Sequence, residues 1–573
     1  MTKRWKVKPS AEKEIAERLA KAINVNPVAA NLLIHRGITT FEEAKLFFRP
    51  QLEHLHDPFL MKDMDKAIVR IEEAISKGEK ILVYGDYDVD GTTSVALVYS
   101  FLKTIYPNLD YYIPDRYKEG YGISIAGIDF AAANDFKLII ALDCGIKAMD
   151  KIAYANGKKI DFIICDHHLP GETIPNAVAV LDPKRRDCTY PYKELSGCGI
   201  GFKLIQAFSQ KKNIPVESLE EYLDLVAISI AADIVPITGE NRILAYHGLK
   251  RLNSSPREGI RAMLELSNIK KELTITDIVF VIGPRINAAG RMESGKKAVE
   301  LLISSSAAHA LESGNYLNKN NSDRRDLDIY TTQQALQMIN ESPTLQLRKT
   351  TVLFDPNWHK GVIGIVASRL TETYYRPTVM LTQSNGIVSG SARSVKDFDL
   401  YEALSACSDL LEQFGGHKFA AGLTLKPENV EAFSKKFEEV VSSTITDEML
   451  IPEIEIDAAI DFSEITPAFY NILKQFAPFG PGNMNPIFLT ENVSDKGYAN
   501  IVGSNHLKMD LIHKGSKTES QAVKFPAIAF GMGEHYEFVA KKNPFHVCYH
   551  INEQQWEGKT YYQLNVKDIN KPA

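Results

Sequence analysis

Four short apolar runs in the first half of the chain each end in an aspartate: Ile81-Leu82-Val83-Tyr84-Gly85 before Asp86, Leu138 to Leu142 before Asp143, Phe162 to Cys165 before Asp166, and Val178 to Leu181 before Asp182. None of them alternates polar with apolar residues, and helix-length segments separate them. A strand that is apolar at every position must be covered on both faces, which is the condition of a parallel sheet sandwiched between helices. The pattern therefore predicts an α/β fold, and such sheets bind ligands at the carboxyl ends of their strands. The aspartates would stand there.

The chain has 573 residues, 45% of them hydrophobic, enough for several domains. Residues 1–60 read as an N-terminal helical accessory segment, with apolar positions at helical spacing (Ile15, Leu19, Ile23, Leu32, Leu33). Residues 61–302 form the parallel-sheet domain. A polar, helix-compatible stretch over 303–345 predicts a long connecting helix. A second, smaller α/β domain follows over 346–445, with strands at Thr351 to Phe354, Thr378 to Leu381 and Ile387 to Ser391, and helices over 362–371, 401–414 and 429–441. From 446 to 573 short alternating segments predict a C-terminal β-barrel.

Net charge is −6, from 66 Lys+Arg against 72 Asp+Glu, which excludes a basic nucleic-acid coat protein and a polybasic membrane binder. Any nucleic-acid surface must be local. Residues 496–573 hold ten lysines, seven acids and ten aromatic residues, among them Tyr498, Phe530, Tyr536, Trp556, Tyr561 and Tyr562. Lysines interleaved with aromatics on a small barrel suit single-stranded nucleic acid, held by stacking and phosphate charge. Six cysteines without a CxxC pair point to a reduced, cytoplasmic setting. The basic amino terminus has no apolar core after it, so no cleaved signal is expected, and no stretch is long enough for a membrane span.

The chemistry concentrates at Asp86-Tyr87-Asp88-Val89-Asp90-Gly91, where three carboxylates lie two residues apart. In an extended conformation they project to one side, and their mutual repulsion calls for a cation. An EF-hand loop is excluded, because a strand precedes and position twelve is Leu97 instead of a bidentate glutamate. Asp143 and Asp166-His167-His168 stand at two further strand ends, a mixed oxygen and nitrogen donor set suited to Mn²⁺ or Mg²⁺. Asp233, after the apolar helical run Val226 to Ala232, is the fourth candidate. Together these groups suit two-metal phosphoester hydrolysis.

The ordered set Asp86/Asp88/Asp90, Asp143, Asp166-His167-His168 and Asp233 resembles the DHH phosphoesterase superfamily. Further segments, among them Ile113-Pro114-Asp115-Arg116, Gly283 to Arg291, Trp358-His359-Lys360-Gly361, Gly390 to Ser394, Phe414-Gly415-Gly416-His417 and Ala477 to Asn483, are similar to its single-strand-specific 5'→3' exonucleases. The resemblance implies a DHH catalytic domain, a DHHA1 substrate-binding domain and an OB-like barrel. It implies two divalent cations held by Asp88, Asp90, Asp143, His167 and Asp233, with Asp143 the bridge, and roles for Asp86 and His168 as ligands or as residues that orient them. Some relatives carry histidine four residues before the position of Asp88, where this chain has Tyr84.

For nucleic acid the resemblance points to Gly415, Gly416 and His417, where small residues let backbone N–H groups approach a phosphate. Ser391 and Arg393 can donate to phosphate oxygens. Arg285 and Arg291 flank a glycine-rich loop expected to face the cleft from the first domain, and Asn287 between them is a further candidate. Arg116 is a further candidate, with an ion pair to Asp115 or Glu119 as the competing reading. The expected substrate is single-stranded DNA, degraded from its 5' end to 5'-mononucleotides in repair and recombination, beside a single-strand-binding protein and a RecQ-type helicase. Alternatives are a hydrolase of short oligonucleotides or cyclic dinucleotides, and a non-catalytic single-stranded-DNA-binding scaffold.

Overall fold

The four apolar runs become four strands of one sheet. The structure, a computed structural model, describes residues 3–292, 294–384, 386–513 and 523–572. Lys514, Lys517 and the side chain of Trp556, all counted above among the barrel's residues, lie outside the described residues. The chain divides into two units, one from Leu52 to Leu450 and one made of the segment up to Gln51 together with the chain from Ile451.

In the larger unit the first sheet has five strands, in the spatial order Leu109–Tyr112, Lys80–Gly85, Phe136–Leu142, Asp161–Cys165, Ala179–Leu181. All its pairs are parallel. Successive residues serve opposite faces: Ile81, Val83, Leu138, Ile140 and Ile163 join one apolar cluster, while Leu82, Tyr84, Ile139, Ala141 and Ile164 join another. Both faces are therefore covered, as the unbroken apolar runs require. The order reverses between Lys80–Gly85 and Phe136–Leu142, which makes their carboxyl ends the topological switch point where such sheets bind ligands. Asp86 and Asp143 follow those two strands.

A long helix, Ala307–Glu341, followed by the short Pro343–Leu347, leads to the second sheet and belongs to two cores: its Ala310 and Leu317 pack with the first domain, its Ala335 and Ile339 with the second. The second sheet runs Gln413–His417, Ala420–Leu425, Ile387–Arg393, Thr378–Ser384, Thr351–Phe354, with only the last pair parallel. Helices Ile363–Tyr374 and Val430–Thr444 supply separate clusters to its two faces. The helix expected over 401–414 is shorter than its apolar spacing suggested. It spans Leu400–Ser405, and Phe414 lies instead in an edge strand whose Gly415-Gly416 backbone pairs with Gly422-Ala421.

The smaller unit is β-rich. Phe488–Asp495 pairs both with Phe545–Trp556 and with His506–His513, so five strands of the seven-stranded sheet close into a barrel, with Ala458–Ala459 and Asn500–Val502 appended. Residues 1–60 are not wholly helical: Arg4–Val7 is a strand parallel to Glu453–Ile456. Helices Lys13–Ile23, Pro27–Ile34 and Phe41–Phe48 follow, and Leu19, Leu32 and Leu33 share the barrel's core. The Pro478-to-Asn483 turn serves this packing. Arg36 donates from Nε to Asn483 Oδ1 (2.7 Å) and lies over the Phe476 ring (5.0 Å).

One buried ion pair fixes the helix on which the site rests. Lys203, on Gly197–Lys212, donates from Nζ to Glu240 (3.0 Å) and to the His56 carbonyl (2.7 Å), and both side chains are almost without solvent contact. Glu240 also accepts from the Tyr190 hydroxyl (2.7 Å) and the His56 N–H (2.9 Å). Breaking such a pair strands a charge away from water. Glu240→Gln is expected to destabilise the protein by roughly 3 kcal/mol in urea unfolding; a loss below about 1 kcal/mol would contradict the role given to the pair.

A candidate metal centre and the cleft beside it

The three carboxylates after the first strand do not stay extended. Asp88 is the N-cap of helix Val89–Lys103, its Oδ1 accepting from the Gly91 N–H (2.9 Å), and Asp90 lies in the first turn. Asp86, Asp90 and Asp143 are buried, as are Asp166 and His167. His167 Nε2 is the centre of the group: it stands 3.2 Å from Asp143 Oδ1, 3.5 Å from Asp233 Oδ2 and 3.7 Å from Asp90 Oδ2.

The five aspartates around this ring are not equivalent. Asp90 is fully bonded, accepting from the Gly197 N–H (2.7 Å), the Cys198 N–H (2.8 Å) and the Ser229 hydroxyl (2.6 Å). It sits at the N-terminus of Gly197–Lys212, where backbone donors and the helix dipole stabilise an anion. Asp233 is at the opposite kind of position, the C-cap of Leu223–Ala232, where the dipole disfavours negative charge. Burial, then the charges of Asp90 and Asp88, push Asp233 up to about 8. Burial, then the neighbouring aspartates, also raises Asp143, Asp86 and Asp88.

The donor set fits divalent cations. Asp143 Oδ1, Asp86 Oδ2 and both ring nitrogens of His167 are buried without a hydrogen-bond partner among the described residues. Burial lowers the pKa of His167, so it is a neutral imidazole with a lone pair to offer. Two like charges 4 Å apart repel by about 4 kcal/mol at an effective dielectric constant near 20, so orphaned acids at this density favour either protons or cations. Asp143, His167 and His168 make one potential ligand group, and Asp90, His167 and Asp233 another.

Asp166 does a different job. Its Oδ1 accepts from the backbone N–H groups of His167 and His168 (2.8 and 3.1 Å) and meets His168 Nδ1 at 2.8 Å, while Oδ2 takes the Ile146 N–H (2.9 Å). It is a clamp on the two histidines. Tyr84, at the position where some relatives have histidine, is buried away from this group: its hydroxyl donates to the Gly122 carbonyl (2.9 Å) and its ring stacks on Tyr112. Two glycines permit close approaches in this region. A Cβ on Gly197 would stand 2.7 Å from that of Asp143, and one on Gly290 would stand 2.5 Å from the Tyr87 carbonyl.

Next to Asp88 lies a pocket of about 200 Å³ lined by Tyr87, Asp88, Arg116, Tyr121, Asn287 and Arg291. The segment holding Asn287 and Arg291 is a helix, Gly283–Met292, and not the loop that its glycines suggested. Asn287 Oδ1 accepts from the Val89 N–H (3.2 Å), which ties this helix to the one that carries Asp90. Arg291 is pushed down to about 10 by burial and then by Arg116, Arg324 and Arg393, so four guanidinium groups from four segments converge. None of the four is in an ion pair among the described residues. Arg116 lies over the Tyr87 ring (5.2 Å), while Glu119 accepts from Tyr112, Ser124 and the Asp115 N–H. The ion-pair reading of Arg116 does not hold.

Arg393 donates from Nη1 to the Ser391 hydroxyl (3.0 Å), which joins the two candidates of the second sheet. Gly415, Gly416 and His417 are exposed on the edge strand, and burial, then the charge of Arg393, holds His417 below the usual imidazole range. Arg285 goes elsewhere: Nε donates to Asn318 (3.1 Å) and Nη1 to the Val281 carbonyl (2.8 Å), fastening its helix to the connecting helix. The sequence reading missed Arg324, Tyr87 and Tyr121. It also missed His359, whose Nδ1 accepts from the Gly361 N–H (3.1 Å) beside Arg116.

Known proteins resemble this chain in sequence and fold. The chain matches the family models described as DHH family, N-terminal domain, over residues 80–230, DHHA1 domain over 348–443 and RecJ OB domain over 456–568. The single-stranded-DNA-specific exonuclease RecJ of Bacillus subtilis is 36% identical over 99% of this chain and 70% of its own length. That of Escherichia coli is 31% identical, over 87% of this chain and 88% of its own. The chain belongs to the RecJ family. RecJ of Thermus thermophilus in complex with Mn²⁺ superposes with a TM-score of 0.85 and 28% identity, covering 100% of this chain and 80% of that one.

RecJ-family membership does not assign the individual ligands, and the packing offers a direct test of them. Asp143→Ala and Gly197→Ala are both expected to weaken Mn²⁺ binding at least about tenfold in calorimetric titration, the first by removing a ligand and the second by displacing it. Wild-type affinity in Gly197→Ala would show that Asp143 does not need its observed position.

Proposed function

We infer that this chain is a metal-dependent exonuclease that degrades single-stranded DNA from the 5' end to 5'-mononucleotides. The observation that carries the reading is the union of two groups of opposite sign: partnerless acids around His167, and unpaired arginines around the pocket beside Asp88. Both Mn²⁺ and Mg²⁺ are bound by RecJ of Thermus thermophilus in solved structures. In this chain Asp88, Asp90, Asp143, His167 and Asp233 would hold two such cations, with Asp86 orienting them; when bound, they lower the pKa of an attacking water and offset charge on the phosphate.

The remaining parts follow from side chains. A terminal 5'-phosphate is a dianion, and Arg116, Arg291 and Arg393, none of them in an ion pair among the described residues, present donors to it together with the Ser391 hydroxyl. Gly415, Gly416 and His417 would hold the backbone on the second domain's side. Anchoring the 5'-phosphate one nucleotide from the acids places the bond between O3' of the first nucleotide and phosphorus of the second at His167. Water attacks that phosphorus, the P–O3' bond breaks, and the 3'-oxygen leaves with a proton. Asp166 fixes His168 through Nδ1, which leaves Nε2 free to donate to a phosphate oxygen. The shortened strand then carries a new 5'-phosphate, the group the arginines bind, so each turnover prepares the next.

The barrel would grip the strand through lysines and exposed aromatics such as Tyr498, Phe530 and Tyr561. A cytoplasmic setting, a role in repair and recombination, and work beside a single-strand-binding protein and a RecQ-type helicase belong to the same proposal and follow from the family. Among the described residues no helix is long and apolar enough to cross a membrane, and all six cysteines are buried and unpaired.

The test uses 5'-labelled and 3'-labelled single strands, duplexes and dinucleotides with Mn²⁺ or Mg²⁺. The expected result is 5'-mononucleotide release from single strands, abolished by chelation and by Asp143→Ala while that variant still binds DNA. Preferential attack on dinucleotides, or full activity in Asp143→Ala, would overturn the reading. A second outcome tests polarity: replacing the 5'-phosphate by a hydroxyl is expected to raise KM about tenfold or more in the wild type and to matter little in Arg291→Ala.

A further inference from the structure

Two large apolar side chains stand in solvent beside the metal ligands. Leu169, immediately after His168, is 71% exposed, and Ile234, immediately after Asp233, is 63% exposed. Neither joins any apolar cluster among the described residues. Their loops meet at the site itself, since His167 Nε2 is 3.5 Å from Asp233 Oδ2. The flanks of the acid cluster are thus apolar where water, and not protein, is the present neighbour.

Ile234 is also strained. Its φ is +59°, a left-handed conformation in which a β-branched residue is an outlier. Glycine or asparagine would adopt it freely, and the isoleucine side chain receives no packing in return. Strain of this kind is held by its surroundings and clusters at functional sites. Here the surroundings are Asp233 on one side and the buried Val235 and Ile237 on the other.

A row of ring contacts links the arginine pocket to the histidines. Arg116 is over Tyr87 (5.2 Å), Tyr87 meets Tyr121 edge-on (5.8 Å), Tyr121 meets His168 (6.5 Å), and His168 meets His167 (4.7 Å). The row begins at the arginine pocket and ends at the histidines, and Leu169 and Ile234 adjoin that end through the chain, the first following His168 and the second following Asp233, whose Oδ2 is 3.5 Å from His167 Nε2. On the reading given above, the first nucleotide occupies the span between arginines and metals. The nucleotide beyond the scissile phosphate emerges at the histidine end.

Resting on that reading, we propose that Leu169 and Ile234 form an apolar rim against which the base of the second nucleotide lies, positioning the scissile phosphate over His167 by sequence-independent van der Waals contact. They are positioning residues, not catalytic ones. The rim answers a specific need: a phosphate alone is free to rotate about its ester bonds, and a base held on the far side limits that rotation.

Ile234→Gly and Leu169→Ala are compared with the wild type on 5'-phosphorylated single strands, normal or abasic at the second nucleotide, with melting temperature as a companion readout. The expected result is a KM raised roughly fivefold or more on normal strands by either change, with a smaller fall in kcat. On the strand abasic at the second nucleotide, wild type and variants converge. Ile234→Gly melts at or above the wild type, because glycine relieves the backbone. Unchanged KM on normal strands, an equal penalty on the abasic strand, or a melting point several degrees lower in Ile234→Gly would overturn the rim. A wild type that releases no 5'-mononucleotide at all would overturn the exonuclease reading beneath it, which separates the two failures.

Discussion

Carboxylates that repel one another have been brought to within bonding reach of one neutral imidazole, and most of the larger unit's architecture serves to keep them there. His167 Nε2 has oxygens of Asp143, Asp233 and Asp90 within 3.7 Å, and neither nitrogen of its ring has a hydrogen-bond partner among the described residues. Such a group is unstable unless something offsets it. Asp90 is offset in part by the backbone donors of a helix start, and the group as a whole suits cations. The buried Lys203–Glu240 pair holds that same helix, and Gly197 permits its first turn to touch Asp143. Fold stability and chemistry therefore act through shared residues.

The mild overall acidity of the chain conceals a separation of charge. Within one cleft, acids collect at the switch point of the first sheet while Arg116, Arg291, Arg324 and Arg393 collect beside it from a loop, two helices and a strand of the second sheet. On the proposed function a single-stranded phosphodiester with a terminal phosphate would answer both halves: its terminal dianion would meet guanidinium groups, and its scissile phosphate the acids with their cations. The aromatic row from Tyr87 to His168 lies between them.

Much of this was legible in the sequence because it is local. Apolar runs ending in aspartate announce a doubly covered parallel sheet whatever surrounds them, and the ligand candidates are anchored to those ends. Asp233 was legible from the polar break after an apolar helix. Other features are tertiary and carry no local signal. Arg324 is one arginine in a polar helix and reads as a solvated surface residue until that helix is packed across the cleft. Gly283 to Arg291 looks like a loop by its glycines, yet Gly290 is there to let a helix touch Tyr87. Residues 401–414 have helical apolar spacing, but the Gly415-Gly416 backbone is committed to pairing with Ala421-Gly422. Arg285 resembled its neighbour Arg291 in sequence and differs only in the face of the helix it occupies.

Anomalous diffraction from crystals soaked in Mn²⁺ tests the central claim most directly, because it places the cation without reference to activity. The account predicts anomalous density bonded to His167 and to the Asp143 carboxylate at about 2.0–2.3 Å, with Asp233 completing a site and Asp166 remaining bonded to His168 instead of metal. Density confined to other acids, or a cluster around His167 that stays free of Mn²⁺ at saturating concentration, would contradict it.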